Sequence, residues 1–133
     1  MIQTTKLAHI GIAVKSIAGS IGFFRDILGL QVLAMEDVPV MKARVAKLST
    51  GNTVIELIEP LPGEQTVTKF LDTRGEGIHH ICLEVADIKL ATDELIKKGY
   101  HPVYDEPKTG AGGHKVNFLF PKETHGVLIE LSD

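Results

Sequence analysis

His80-Ile-Cys-Leu-Glu-Val85 has a counterpart near the start of the chain, His9-Ile-Gly-Ile-Ala-Val14, and both follow the pattern His-Ile-x-apolar-x-Val. A second pair, Val54-Ile-Glu-Leu57 and Leu128-Ile-Glu-Leu131, follows in the same order. The two histidines lie 71 residues apart, and the two glutamates, Glu56 and Glu130, lie 74 apart. Landmarks that recur at nearly one offset indicate an internal duplication.

Each half of this duplication reads as a β-α-β-β-β module. Ser16 and Asp87 are predicted to cap the two helices, and Gly29 and Gly99 are predicted to end them. Strands are predicted at 7–14, 30–38, 41–48 and 53–59 in the first half, and at 78–86, 100–105, 114–120 and 126–131 in the second. The predicted loop 108–113 is rich in glycine.

One helix covers only one face of a four-stranded sheet, so each module leaves a face open until the other joins it. We therefore predict an α+β fold, in which two tandem βαβββ modules form a curved eight-stranded sheet around a metal-containing cavity. The chain is expected to be a single domain over residues 1–133. Module 1 covers about 5–62, a connector helix lies in 63–77, and module 2 covers about 78–133.

The composition narrows the classes of partner and location. Hydrophobic residues make up 44% of the 133 residues and charged residues 23%, as in ordinary globular proteins. The net charge is −3 without a Lys/Arg run, which argues against nucleic acid and membrane as partners. No apolar run approaches membrane-spanning length, and the single Cys82 cannot form an internal disulfide, so a cytoplasmic location is expected.

The duplicated histidines and glutamates stand inside apolar, strand-like runs. Alone, such a histidine is more often a hydrogen-bonded core residue than a ligand, and such a glutamate could face water at an edge. Recurrence in both halves argues against these readings. A buried, unpaired carboxylate would cost several kcal/mol, and a divalent metal would remove that cost. Two imidazoles and two carboxylates suit Zn, Ni, Co or Mn better than Ca.

Further stretches carry a resemblance to a known family: Gly75-Glu-Gly-Ile-His-His-Ile81, Asp105-Glu-Pro-Lys-Thr-Gly-Ala-Gly-Gly113, Phe120-Pro-Lys and Gly126-Val-Leu-Ile-Glu-Leu131. With the duplication, they make the whole chain resemble the vicinal oxygen chelate (glyoxalase/bleomycin resistance/dioxygenase) superfamily, and within it the methylmalonyl-CoA epimerases. The resemblance implies one divalent ion (Co, Ni, Zn or Mn), an acyl-CoA substrate and a homodimer. The metal ligands that it implies are His9, Glu56, His80 and Glu130.

The same resemblance implies epimerisation at C2 of methylmalonyl-CoA, or of a similar acyl-CoA thioester, by removal and return of a proton through a metal-stabilised enediolate. We expect Glu130 to be the base. Some epimerases carry a second catalytic carboxylate on the third strand, whereas this chain has no Asp or Glu at 38–55. Glu56 is therefore predicted as the second proton-transfer group. The chain differs from the epimerase pattern at two further positions. It has Glu56 where epimerases often have Gln, and Phe120 where many relatives have His.

Candidate substrate-binding residues come from the two loops of the second half. The lysines would suit the phosphates of CoA, and the glycines would let backbone N–H groups approach a carboxylate or thioester. Ordinary surface charge and a flexible hairpin are the simpler explanations. The candidates are Lys108, Gly110, Gly112, Gly113 and Lys122.

Two alternative functions stay open, because the four-ligand pattern does not distinguish them. Lactoylglutathione lyase (glyoxalase I) uses the same proton chemistry on a glutathione hemithioacetal, and other superfamily members only bind small molecules. Among the remaining histidines, His79 is expected on the opposite strand face from His80. His101, His114 and His125 are expected to be solvated.

Overall fold

The computed structural model describes residues 1–133 and contains eight strands and three α-helices. In chain order they are β1 Thr4–Ala13, α1 Ile17–Gly22, β2 Gln31–Val38, β3 Ala43–Ser49, β4 Val54–Pro60, α2 Thr66–Arg74, β5 Gly77–Val85, α3 Ile88–Lys97, β6 Lys108–Thr109, β7 Lys115–Leu119 and β8 Ile129–Ser132.

The residues group into two compact units, one of residues 9–79 and one of residues 1–8 with 80–133. In the first unit β1 pairs with β4 in parallel, and β4, β3 and β2 continue as antiparallel neighbours. Alternation along the strands turns one sheet face toward α1, where an apolar core forms. Its buried members are Val14, Ile17, Ile21, Ala46, Leu48 and Leu57.

Helix α1 begins where the sequence predicts, and the helical region that continues from it ends before Gly29, as predicted. The Ser16 hydroxyl accepts a hydrogen bond from the Gly19 N–H at 3.1 Å, which satisfies one of the donors left open at a helix start. The helix then widens into a π-helical turn over Phe23–Ile27. Gly29 follows with φ +74°, a conformation in which a side chain would be strained.

The second unit repeats the arrangement. β5 pairs with β8 in parallel, and β8, β7 and β6 are antiparallel neighbours. Asp87 accepts from the Leu90 N–H at 3.0 Å and so caps α3 as predicted, and Gly99 ends the helix region with φ +89°. The N-terminal residues join this unit, since the Ala86 N–H donates to the Gln3 carbonyl at 3.0 Å. Its buried core members are Val85, Ile88, Ala91 and Leu131.

Hydrogen bonding gives the order β2-β3-β4-β1 in the first unit and β5-β8-β7-β6 in the second. Counted from β1 in the first unit and from β5 in the second, the first strand pairs with the fourth, the fourth with the third and the third with the second. A duplication requires this match. The α+β class and the two tandem βαβββ modules are therefore confirmed. Helix α2 lies between the modules along the chain, inside the predicted connector 63–77.

One predicted strand is wrong, because residues 100–105 form no strand. The short strand β6 comes later, at Lys108–Thr109, inside the stretch predicted as a loop. Pro102 has no N–H for a ladder, and the Asn117 side chain takes the place of a strand neighbour at Tyr104. Its amide accepts from the Tyr104 N–H at 3.0 Å and donates to the Tyr104 carbonyl at 2.9 Å.

Candidate metal and active site

The first unit contains one of the duplicated His–Glu pairs. Gly11 of β1 lies opposite Glu56 of β4, and His9 shares the strand face of Gly11. The neighbouring residues Ile12 and Leu57 point the other way, into the core beneath α1. His9 Nδ1 and Glu56 Oε2 are 3.7 Å apart, and Glu56 is only 5% exposed.

The second unit contains the equivalent pair in closer contact. Cys82 of β5 lies opposite Glu130 of β8, and His80 shares the face of Cys82. His80 Nε2 and Glu130 Oε1 are 3.0 Å apart. Both residues are buried, with 5% and 6% exposed. In both units the histidine and the glutamate therefore lie on the strand face opposite the aliphatic residues of the core.

The donor chemistry of each pair fits a divalent metal. Imidazole nitrogens and carboxylate oxygens bind such ions at about 2.0–2.2 Å, so two atoms bound to one ion lie no more than about 4 Å apart. Both measured separations satisfy this limit. Burying a carboxylate beside an imidazole is costly unless a cation or proton balances its charge. Each pair can therefore supply one nitrogen and one oxygen ligand.

Two side chains near Glu130 were not singled out as site residues by the sequence. The Cys82 sulfur lies within 4.8 Å of a Glu130 carboxylate oxygen and 3.6 Å from the Ser132 hydroxyl. Phe118 of β7 lies opposite Glu130 and packs against the His80 ring, edge to face, with centroids 6.4 Å apart. Phe118 could have been identified as a residue of the site from the pairing of its strand with the strand of Glu130.

His79 and His101 have partners other than the metal-site candidates. The His79 ring stacks edge to face on Phe70 with centroids 5.0 Å apart, on the opposite strand face from His80. His101 is exposed, as expected, but its Nδ1 is 2.6 Å from Glu123 Oε1. The His101 backbone N–H also donates to Glu123, and this bond is the main cause that holds the pKa of Glu123 below its usual range.

The candidate substrate-binding residues all lie in the second unit, at two places. Lys108 is exposed on β6, with its ammonium 4.8 Å from the centre of the Tyr104 ring. Lys122 lies in a 3₁₀ turn, Pro121–Glu123.

Local geometry explains why the three positions of this loop are occupied by glycine. Gly110 is buried, and a Cβ there would come within 3.1 Å of a Val116 methyl carbon. Gly112 and Gly113 have φ of 69° and 79°, which favours glycine. These constraints account for the glycines whether or not a ligand binds.

None of the three α-helices is long and apolar enough to cross a bilayer.

Comparisons with known proteins place the chain in a family. The model of the glyoxalase/bleomycin resistance protein/dioxygenase superfamily matches residues 8–118. An ethylmalonyl-CoA/methylmalonyl-CoA epimerase from Cereibacter sphaeroides is 40% identical over 128 residues, covering 95% of this chain and 96% of the relative. The mitochondrial methylmalonyl-CoA epimerase of Mus musculus is 39% identical over 127 residues, covering 95% of this chain and 71% of its own length.

A solved structure agrees with this placement. The methylmalonyl-CoA epimerase of Streptomyces coelicolor, in complex with 2-nitronate-propionyl-CoA, superposes with a TM-score of 0.91 at 34% identity, covering 98% of this chain and 94% of that one. The fold, the two His–Glu pairs and the extent of these similarities together lead to one conclusion: the chain belongs to the methylmalonyl-CoA epimerase family of the glyoxalase/bleomycin resistance protein/dioxygenase superfamily.

Proposed function

We propose that this chain is a metal-dependent epimerase that inverts C2 of methylmalonyl-CoA or of a similar acyl-CoA thioester. The observation that carries the proposal is the similarity to a curated epimerase of almost the same length, which runs through nearly all of both chains. The two buried His–Glu pairs supply the chemistry. A homodimer and a cytoplasmic location belong to the proposal as well, on the strength of the sequence resemblance and of the lone cysteine.

The metal ligands in this proposal are His9, Glu56, His80 and Glu130. The duplication supports it, because each module supplies the same two ligand types from the same two strands. The mixed nitrogen and oxygen set suits Co, Ni, Zn or Mn. When bound, the ion would supply Lewis-acid stabilisation of the negative charge that develops on the thioester oxygen.

The two glutamates are proposed to move the proton. Glu130 removes the acidic proton from C2, the C–H bond breaks, and its electron pair moves toward the thioester carbonyl. Inversion requires a proton to be added on the other face of C2, and Glu56, the counterpart of Glu130, donates its own carboxyl proton there. The step leaves Glu130 protonated and Glu56 ionised. Both carboxyl groups are buried, which keeps bulk water from returning the proton at random.

Recognition of the CoA portion is assigned to the loops of the second unit. Lys108 and Lys122 would meet phosphates, and the backbone at Gly110, Gly112 and Gly113 would approach the acyl group. The positive φ of Gly112 and Gly113 supports this proposal, because successive N–H groups in such a turn can converge on an anion.

The proposal is tested with the metal-loaded protein and one epimer of methylmalonyl-CoA in D2O. We expect deuterium at C2 together with loss of optical purity, and neither with the Glu130→Gln variant. The glutathione–methylglyoxal adduct is the control substrate. Rapid conversion of that adduct without exchange at C2 would identify a lactoylglutathione lyase instead. Binding of the thioester without conversion of either compound would identify a non-catalytic binding protein.

A further inference from the structure

Asn117 holds the backbone of Tyr104 from inside the second unit. Asn117 is 1% exposed, and its amide exchanges two hydrogen bonds with the Tyr104 backbone, at 3.0 and 2.9 Å. The same amide donates to the hydroxyl of Thr92, a fully buried residue of α3, at 3.1 Å. A buried amide with this many partners has one orientation. The position of Tyr104 is thereby fixed without any contact from its own ring.

The Tyr104 ring has contacts on two sides. Phe118 packs against it edge to face, with centroids 6.2 Å apart and planes at 78°. The Lys108 ammonium lies over the ring at 4.8 Å from the centroid, within the range in which a cation is attracted by an aromatic face. Since Phe118 in turn contacts the His80 ring, Tyr104 lies between the Lys108 ammonium and the aromatic side chain next to the metal ligand.

No carboxylate holds the Lys108 ammonium. The nearby Glu106 is engaged instead by Lys89, with an Nζ–Oε1 distance of 3.2 Å, and Lys89 also pairs with Asp93 at 3.0 Å. An aromatic face attracts the ammonium without neutralising its charge, so its remaining N–H donors can still bind an anion. Lys108 is also exposed, so an anion can reach it.

We propose that Tyr104 is a positioning residue that holds Lys108 ready for a phosphate group of the CoA thioester. A lysine side chain loses much rotamer freedom when a ligand fixes it, and partial ordering beforehand reduces that loss on binding. The Tyr104 ring restricts the ammonium, while Phe118 restricts the ring and Asn117 restricts the Tyr104 backbone. This inference rests on the proposed function for its choice of ligand, and its geometry lies entirely within the second unit.

The test measures the dissociation constant of free CoA by calorimetry, with pantetheine as a probe that lacks the phosphates. Tyr104→Leu should weaken CoA binding about fivefold, equivalent to about 1 kcal/mol, and leave pantetheine binding unchanged. Tyr104→Phe keeps the aromatic face and should restore wild-type affinity. The hydrogen bonds from Asn117 to residue 104 involve only backbone atoms of that residue, so they survive both substitutions. Tyr100→Leu is the matched control, since no cation lies over that ring.

A double-mutant cycle separates positioning from a general structural effect. Once Lys108→Met has removed the ammonium, Tyr104→Leu should weaken CoA binding no further. Additive effects, equal weakening of pantetheine, failure of Tyr104→Phe to restore affinity, or no CoA binding by the native protein would each overturn the inference. Deuterium exchange at C2 of methylmalonyl-CoA tests the proposed function in a separate measurement. A protein that binds CoA with this pattern but leaves C2 unexchanged keeps the inference and loses the epimerase assignment.

Discussion

At the scale of single residues, two adjacent histidines of β5 have opposite surroundings. His80 faces Glu130 at 3.0 Å, whereas the ring of His79 stacks on Phe70. His80→Ala should remove most of the bound divalent ion, because the ligand set loses a nitrogen. His79→Ala should keep the ion and lower the free energy of unfolding by about 1 kcal/mol through the lost ring contact. Metal analysis and chemical denaturation of both variants check this. The reverse pattern of metal loss would contradict the assignment of the faces.

Glu56 has two proposed roles, and Glu56→Gln separates them. Glutamine can still bind a metal ion through its carbonyl oxygen but cannot move a proton. With unchanged metal content, the variant should lose about 10²-fold or more in epimerisation rate. Removal of C2 deuterium from one epimer, which needs only Glu130, should continue. Near-normal epimerisation would show that Glu56 is a ligand only.

At the scale of elements, one carboxylate joins the 3₁₀ turn Pro121–Glu123 to the segment after α3. Glu123 accepts from the His101 backbone N–H at 3.0 Å and lies 2.6 Å from its ring nitrogen. These bonds favour the ionised carboxylate, so the pKa of Glu123 in the folded state lies below its ordinary value of 4.5. The stabilisation is therefore fully present above pH 4.5 and is lost as the pH falls through the folded-state pKa.

Glu123→Gln should accordingly be less stable than the native protein near neutral pH. The difference in the free energy of unfolding between the two proteins should shrink as the pH is lowered below about 4.5. Denaturant titrations at a series of pH values measure it, with Asp72→Asn as a control for loss of an exposed carboxylate on another element. A difference that is constant with pH would mean that the ionised form of Glu123 adds no stability.

At the scale of the whole molecule, the proposed ion should stabilise the folded chain. A ligand that binds only the native state adds about 2.7 kcal/mol at a concentration of 100 times its dissociation constant. Treatment with a chelator should lower the melting temperature, and added Co²⁺ should restore it. Calorimetry of native protein and His80→Ala checks this, because the variant should respond to neither. If the melting temperature does not change when chelator is added, the purified protein does not hold a stabilising metal ion.

The sequence alone determined the class of the fold and the four residues proposed to bind metal. Strand alternation and helix caps depend on neighbours within a few residues, so the modules, their caps at Ser16 and Asp87, and the faces of His80 and Glu130 could be read directly. The duplication strengthened each reading, because two copies must satisfy the same pattern.

Only the tertiary structure decided the path of residues 100–105 and the surroundings of the proposed CoA site. The strand predicted there is replaced by backbone contacts with the side chain of Asn117, 13 residues further along the chain. The contacts of Tyr104 with Phe118 and of His101 with Glu123 likewise join residues far apart in sequence. No local pattern encodes such contacts, because they exist only once α3, β7 and the loops between them have packed together.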